Sequence, residues 1–282
     1  IFAALGRSDG TATSLSVVTT IYPLTSIARE IGGERVVLTT MLPPGGSAHL
    51  HEVSASAMRK AAGADILVRV AGGLDEWAER VFNAARRDAL RLEVMTQLQG
   101  GRGEEAVVDP HIWLDPLTVR DEIVPLMAEA FAAADPDGSE YYRQNAARFG
   151  SELSELHAEM QELLRGFSGR AFMSDHTAWT HFARRYGLIQ QGVLESTPGH
   201  ECGPREAAKL VDMARTQGIS VITTTRGHGT LLAEAVAGQI QAHLVELDPL
   251  GDPDSEDRAS YADIMRYNAT RLAGAMREAA GP

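Results

Sequence analysis

The sequence predicts an α/β protein of two lobes, each a mainly parallel four-stranded sheet flanked by helices, joined by one long rigid helix. Three observations carry this. Runs rich in Val, Ile, Leu and Thr alternate with helical patterns along almost the whole chain, as parallel βα units do. From Ser139 to about Phe167 there is no proline and one glycine, Gly150, while apolar residues recur at helical spacing. The 282 residues suffice for two domains of ordinary size. The expected divisions are an N-terminal lobe over 12–137, a linking helix over 138–167 and a C-terminal lobe over 168–282.

In the first lobe, strands are expected near 14–21 (SLSVVTTI), 36–42 (VVLTTML), 66–71 (ILVRVA) and 91–96 (RLEVMT). Helices fill the intervals from Leu24 to Ile31, Ser54 to Ala64, Leu74 to Ala85 and Val119 to Ala133, before the breaker Ala134-Asp135-Pro136-Asp137-Gly138. The linking helix carries Phe149, Leu153, Leu156, Met160, Leu163 and Leu164 on one face. At 1.5 Å per residue it spans roughly 40 Å. A second series follows, with strands near 170–174 (RAFMS), 188–194 (LIQQGVL), 219–225 (ISVITTT) and 243–247 (HLVEL). Its helices fall near 178–186, 204–217, 230–240 and 260–279.

Composition narrows the partners. Acidic residues outnumber basic ones by 38 to 26, and the basic ones form no run, which argues against nucleic acid or an anionic membrane surface. Small cations or other proteins fit better. No apolar run reaches the roughly 18 to 20 residues that span a bilayer. Cys202 is the one cysteine and has no internal bridging partner. The start, Ile1-Phe2-Ala3-Ala4-Leu5-Gly6, reads equally as the remainder of a trimmed export signal or as an artificial start, and no cysteine nearby offers a lipid attachment point.

Ligands of open parallel sheets bind beyond the carboxyl ends of strands, where loops and helix N-termini converge. That rule sorts the nine histidines. His49 follows the strand ending near Leu42, His111 lies in the connection after the strand ending near Thr96, and His176 comes directly after Phe172-Met173-Ser174-Asp175. Asp248 ends the run Leu244-Val245-Glu246-Leu247. Three imidazoles and a carboxylate suit a four-coordinate Zn²⁺ ion, and nitrogen donors favour it over Mg²⁺ or Ca²⁺. Binding is expected to weaken on acidification as protons compete near the ordinary imidazole pKa of about 6.5.

The other histidines are weaker candidates. His157 lies mid-helix among charges and reads as solvated; His181 is five residues from His176 and off its helical face; His243 begins a strand at the far end. His228, in Thr225-Arg226-Gly227-His228-Gly229, follows a strand and can reach the cleft, while His200 and Cys202 share the loop Pro198-Gly199-His200-Glu201-Cys202-Gly203-Pro204, which reads as a turn before a helix. Asp115 suits two roles equally, orienting an imidazole or capping the helix at Pro116. Trp113 and Trp179 either exclude water from a site or fill the core.

These residues resemble a known family, the substrate-binding proteins of zinc and manganese ABC importers, also called cluster A-I or zinc-uptake periplasmic solute-binding proteins. The similarity runs from Val17-Val18-Thr19-Thr20-Ile21-Tyr22-Pro23 to the terminal helix. It rests on Met41-Leu42-Pro43-Pro44-Gly45 with His49 and Glu52, and on Asp109-Pro110-His111-Ile112-Trp113-Leu114-Asp115-Pro116. It continues through His176-Thr177-Ala178-Trp179, Phe182-Ala183-Arg184-Arg185-Tyr186-Gly187-Leu188 and Leu247-Asp248-Pro249-Leu250-Gly251. The resemblance implies the same four ligands, His49, His111, His176 and Asp248, in an inter-lobe cleft. It further implies a non-enzymatic periplasmic carrier that hands its metal to a membrane ABC permease.

A histidine at the third ligand position is typical of the zinc members, so His176 favours Zn²⁺ over Mn²⁺. A monomer is expected, with a periplasmic zinc metallochaperone as a further candidate partner. Two features depart from the family. Gly100-Gly101-Arg102-Gly103-Glu104-Glu105 stands where many zinc members carry a histidine-rich loop, and His51 stands where an aromatic residue is usual.

Three other readings compete. One is a manganese carrier of the same family. Another is a metal-dependent hydrolase that uses the pair in Gly46-Ser47-Ala48-His49-Leu50-His51-Glu52, since alternate strand residues face one way. Such sites commonly add a carboxylated lysine, yet Lys60 and Lys209 both fall in helical segments. The third is a surface adhesion protein. His51 itself is expected at the cleft rim or among ordinary surface residues.

Overall fold

The computed structural model describes residues 14–98, 109–195, 200 and 202–281. The segment Gly100–Glu105 lies outside them. The first sheet comprises β1 (Leu15–Thr19), β2 (Val36–Thr40), β3 (Ile66–Arg69) and β4 (Leu90–Glu93), in the order β2-β1-β3-β4 with every pair parallel. The second comprises β5 (Ala171–His176), β6 (Ile189–Glu195), β7 (Val221–Thr225) and β8 (His243–Leu247), in the matching order β6-β5-β7-β8, also parallel throughout. Central strands covered on both faces read as continuous apolar runs, and β3 is buried at all four positions.

The helices begin where local chemistry starts them. In the first lobe these are α1 (Tyr22–Gly32), with Pro23 in its first turn, and α2 (Ala55–Ala62), capped by Ser54 Oγ accepting from the Ala57 amide at 3.2 Å. Then come α3 (Glu79–Ala84) and α4 (Val94–Leu98). Next, α5 (Pro116–Thr118) runs through a π-helical turn at Val119–Ile123 into α6 (Val124–Ala134). The linking helix α7 (Ser139–Leu164) and its 3-10 extension to Phe167 match the expected span. In the second lobe lie α8 (Thr180–Arg185), α9 (Pro204–Gln217), α10 (Leu231–Ile240) and α11 (Tyr261–Glu278). Among the described residues no helix is long and apolar enough to cross a membrane.

Two boundaries differ from expectation in ways that matter. The strand expected near 91–96 ends at Glu93, and Val94–Leu98 is helical instead. His176 is the last residue of β5 rather than the first after it, so the strand itself fixes its backbone.

The long helix buries Tyr142, Phe149, Leu153, Leu156, Met160 and Leu164, packing on α1 and α6 of the first lobe and on α11 of the second. One apolar cluster therefore runs from β1 through α7 to β8. Separate clusters lie on the far side of each sheet. The carboxyl ends of the strands are left facing one another, and the cleft lies between them.

Candidate metal centre

A cavity of about 450 Å³ is lined by residues of both lobes, among them His49, His111, His176, His228, Asp248, Glu246 and Asp252. Each of the three central imidazoles is positioned differently. After β2, the Met41 and Leu42 amides still donate to the Thr19 and Thr20 carbonyls, and a tight Pro43–Gly46 turn leads to His49. Its Nδ1–H donates to the Gly73 carbonyl at 3.3 Å. That carbonyl sits in a turn whose residues Ala71, Gly72 and Gly73 all have positive φ, a conformation costly for Ala71. Buried Asp75 holds the turn, accepting the Val70 and Ala71 amides at 2.9 and 2.8 Å and the Thr20 hydroxyl at 2.5 Å.

His111 is 4% exposed and donates both its amide and its Nδ1–H to Asp109 Oδ1, at 3.0 and 2.7 Å. His181 Nε2 in turn donates to the Asp109 carbonyl at 2.9 Å. Burial is the largest single influence and raises the Asp109 carboxyl, but the His111 hydrogen bonds and the charge interactions with His111 and His181 together bring the net shift downward. His176, 6% exposed, closes the set from the end of β5.

A carbonyl and a carboxylate only accept, so His49 and His111 carry their protons on Nδ1 and leave Nε2 bare. His49 Nε2 is buried without a hydrogen-bond partner. One nitrogen from each ring falls in a group whose members all lie within 4.8 Å of one another. The Nε2 atoms of His111 and His176 stand 3.3 Å apart. Two nitrogens each about 2.05 Å from a tetrahedral zinc ion would stand about 3.3 Å apart, so this pair already has the spacing of two coordination sites.

The outer hydrogen bonds should matter to affinity, because they fix the ring orientation and the basicity of the donor nitrogen. Asp109→Ala is expected to weaken zinc binding by roughly 10- to 100-fold. Competition against a chromophoric chelator checks this, and an affinity unchanged from wild type would remove Asp109 from the site.

Burial, then the neighbouring His111, lowers the His49 pKa to about 4. The same two causes in the same order lower His176 to about 3. At these two positions protons therefore compete well below the expected pH of about 6.5. The sign for folding is definite. The unfolded chain takes up protons at these rings below pH 6.5 and the folded chain refuses them, so stability falls as pH drops toward about 4. The melting temperature of the metal-free chain is expected to decline from pH 7 to 4.5, and more shallowly in His49→Gln/His176→Gln. Parallel curves for the two proteins would contradict the assignment.

Asp248 lines the cavity but lies outside the three-histidine group. Its Oδ1 accepts the Leu250 and Gly251 amides at 3.0 and 2.8 Å, and its Oδ2 lies 3.0 Å from Arg258 Nε. Asn268 clasps its backbone, accepting from the Asp248 amide at 2.7 Å and donating to its carbonyl at 2.6 Å. Next along the chain, the Pro249 carbonyl accepts Trp113 Nε1–H at 2.7 Å, and the Trp113 carbonyl accepts the Tyr261 hydroxyl at 2.7 Å. Trp113 thus ties the His111 segment to the Asp248 loop, with its ring centroid 5.1 Å from that of His111.

Of the two roles open to Asp115, the structure selects the cap. It accepts the Leu117 amide at 3.0 Å and a two-pronged ion pair from Arg185 at 2.7 and 2.6 Å, so the imidazole-orienting carboxylate is Asp109. His181, set aside on helical spacing, buttresses Asp109. His157 is half-buried beside Tyr186 rather than solvated, and burial lowers its pKa. His51 packs edge-on against Trp77, with centroids 4.7 Å apart, and is not among the cavity-lining residues. Trp179 is fully buried against Phe182, a core residue.

A family profile described as "Zinc-uptake complex component A periplasmic" matches residues 17–275. The high-affinity zinc uptake system protein ZnuA of Bacillus subtilis (strain 168) is 25% identical over 285 residues, with 95% of this chain and 89% of that protein covered. The manganese-binding lipoprotein MntA of Halalkalibacterium halodurans is 27% identical over 285 residues, with 95% and 92% covered. A crystal structure of ZnuA superposes with a TM-score of 0.82 at 26% identity, over 93% of this chain and 99% of that one.

Proposed function

The chain belongs to the zinc-uptake complex component A family of periplasmic substrate-binding proteins, and on that premise we propose that it captures Zn²⁺ between its lobes and delivers it to a membrane ABC importer. The observation that carries this reading is the convergence of His49, His111 and His176, two of them with a bare Nε2, in a cavity shared by both lobes. In the proposal these three are the ligands and Asp248 is the fourth, engaging the ion at the expense of its contact with Arg258. The lobes are taken as 12–137 and 168–282, with 138–167 linking them. Work in the periplasm, as a monomer loaded directly or by a zinc metallochaperone, completes the reading.

Neutral imidazoles are borderline-soft donors that suit zinc better than manganese, which prefers oxygen. Manganese remains the competing cargo because one relative is named for binding it. The hydrolase reading loses its motif, since His51 lies against Trp77. Metal analysis of the protein purified without added metal, followed by competition between Zn²⁺ and Mn²⁺, tests the cargo. Zinc retention with no turnover of esters or amides is expected; manganese held against equimolar zinc would overturn the choice, and catalysis would overturn the carrier.

A further inference from the structure

His228 is the imidazole of the cavity that the proposed ligand set leaves unused. It lies between β7 and α10, half-exposed, with its ring centroid 6.0 Å from that of His176 and tilted by 59°. The three clustered rings stand 5.1 to 5.5 Å from one another, so His228 is the next ring outward, beyond the group that shares 4.8 Å. Glu246 and Asp252 line the same cavity and add carboxylates to its wall. Gly227 and Gly229 flank His228, and Gly227 has φ +82°, so the ring sits on backbone that turns at low steric cost. A Cβ at Gly227 would stand 3.5 Å from the Gly45 carbonyl oxygen, which places this loop against the His49 loop of the other lobe.

A hydrated cation reaching this site faces a kinetic difficulty. His111 and His176 are almost wholly buried, and direct entry would strip several waters before any imidazole replaced them. Resting on the carrier reading above, we propose that His228 is an exchange ligand, which takes the ion at the cavity mouth and passes it to His176 and the other two clustered rings, and takes it back on release. In the forward direction a zinc–nitrogen bond to His228 forms as one zinc–water bond breaks. A bond to His176 then forms as a second water leaves, and His228 dissociates as the inner shell fills. The displaced waters return to solvent and the exchange changes no oxidation state.

The test is stopped-flow transfer of Zn²⁺ from the loaded chain to excess chromophoric chelator, and from solution to the metal-free chain, in wild type, His228→Ala and His228→Gln. Both rates are expected to fall by about tenfold in the variants while the equilibrium Kd stays within about threefold. Unchanged rates overturn the proposal. A Kd weakened beyond about 30-fold, with an altered absorption spectrum of the Co²⁺-substituted protein, makes His228 a resident ligand and overturns it too. Absence of zinc binding in the wild-type chain overturns the carrier reading itself.

Discussion

Replacing His111 by alanine is expected to lower zinc affinity by roughly 10²- to 10³-fold, as measured by competition against a chelator of known affinity. Four-ligand zinc sites hold their ion by about 10–16 kcal/mol, so one donor accounts for about 2.5–4 kcal/mol, and each 1.4 kcal/mol is about tenfold. The loss should fall at the upper end because His111 is the most supported of the three rings. Its Nδ1–H is fixed by Asp109, Asp109 is held by His181, and its Nε2 already stands 3.3 Å from that of His176. Alanine removes the donor and leaves the Asp109 carboxylate without its imidazole. His51→Ala is the control, since that ring packs on Trp77 and its removal should leave zinc affinity unchanged. Equal losses in the two variants would contradict the ligand assignment.

Trp113→Ala is expected to destabilise the protein by about 3–5 kcal/mol and to lower its melting temperature by about 10 °C. The residue is 1% exposed and belongs to the apolar cluster common to both lobes. Alanine leaves a large cavity and an unpaired Pro249 carbonyl where the indole Nε1–H now donates. Because Pro249 follows Asp248 directly, zinc affinity should fall as well, although no ligand has been touched. Calorimetry of the metal-free chain separates the two effects. A melting temperature within 2–3 °C of wild type, less than about 1 kcal/mol of lost stability, would mean that the lobes are held together without this residue.

Most of the architecture was legible because burial writes itself into period and composition. The runs at 66–71 and 219–225 are apolar enough to demand cover on both faces, and the α7 stripe is continuous. Short apolar runs are ambiguous, which is why 94–96 was expected to continue a strand and instead opens the helix Val94–Leu98. The strand-end rule found the three imidazoles that converge. It could not rank the carboxylates, because Asp109 and Asp115 share the same local signature, an aspartate followed by proline. Arg185, contributed by α8 some 70 positions along, captures Asp115, and Asp109 is left to hold the imidazole. The Arg258–Asp248 contact and the His181 buttress are likewise tertiary facts with no local trace.

The return of α11 to the first lobe is a late step that the order of synthesis imposes. Tyr22 donates its hydroxyl to the Ala259 carbonyl and Ser26 Oγ accepts the Tyr261 amide, contacts that span 237 and 235 residues. Translation at 5–20 residues per second separates their two halves by roughly 10 to 50 s. The larger partners of α1, namely β2, α6 and α7, are made before α11, so the nascent chain lacks only the smaller α11 contact on that helix. His49, His111 and His176 are all made before Ala259, so the three-imidazole group is present in the chain before α11 closes on α1.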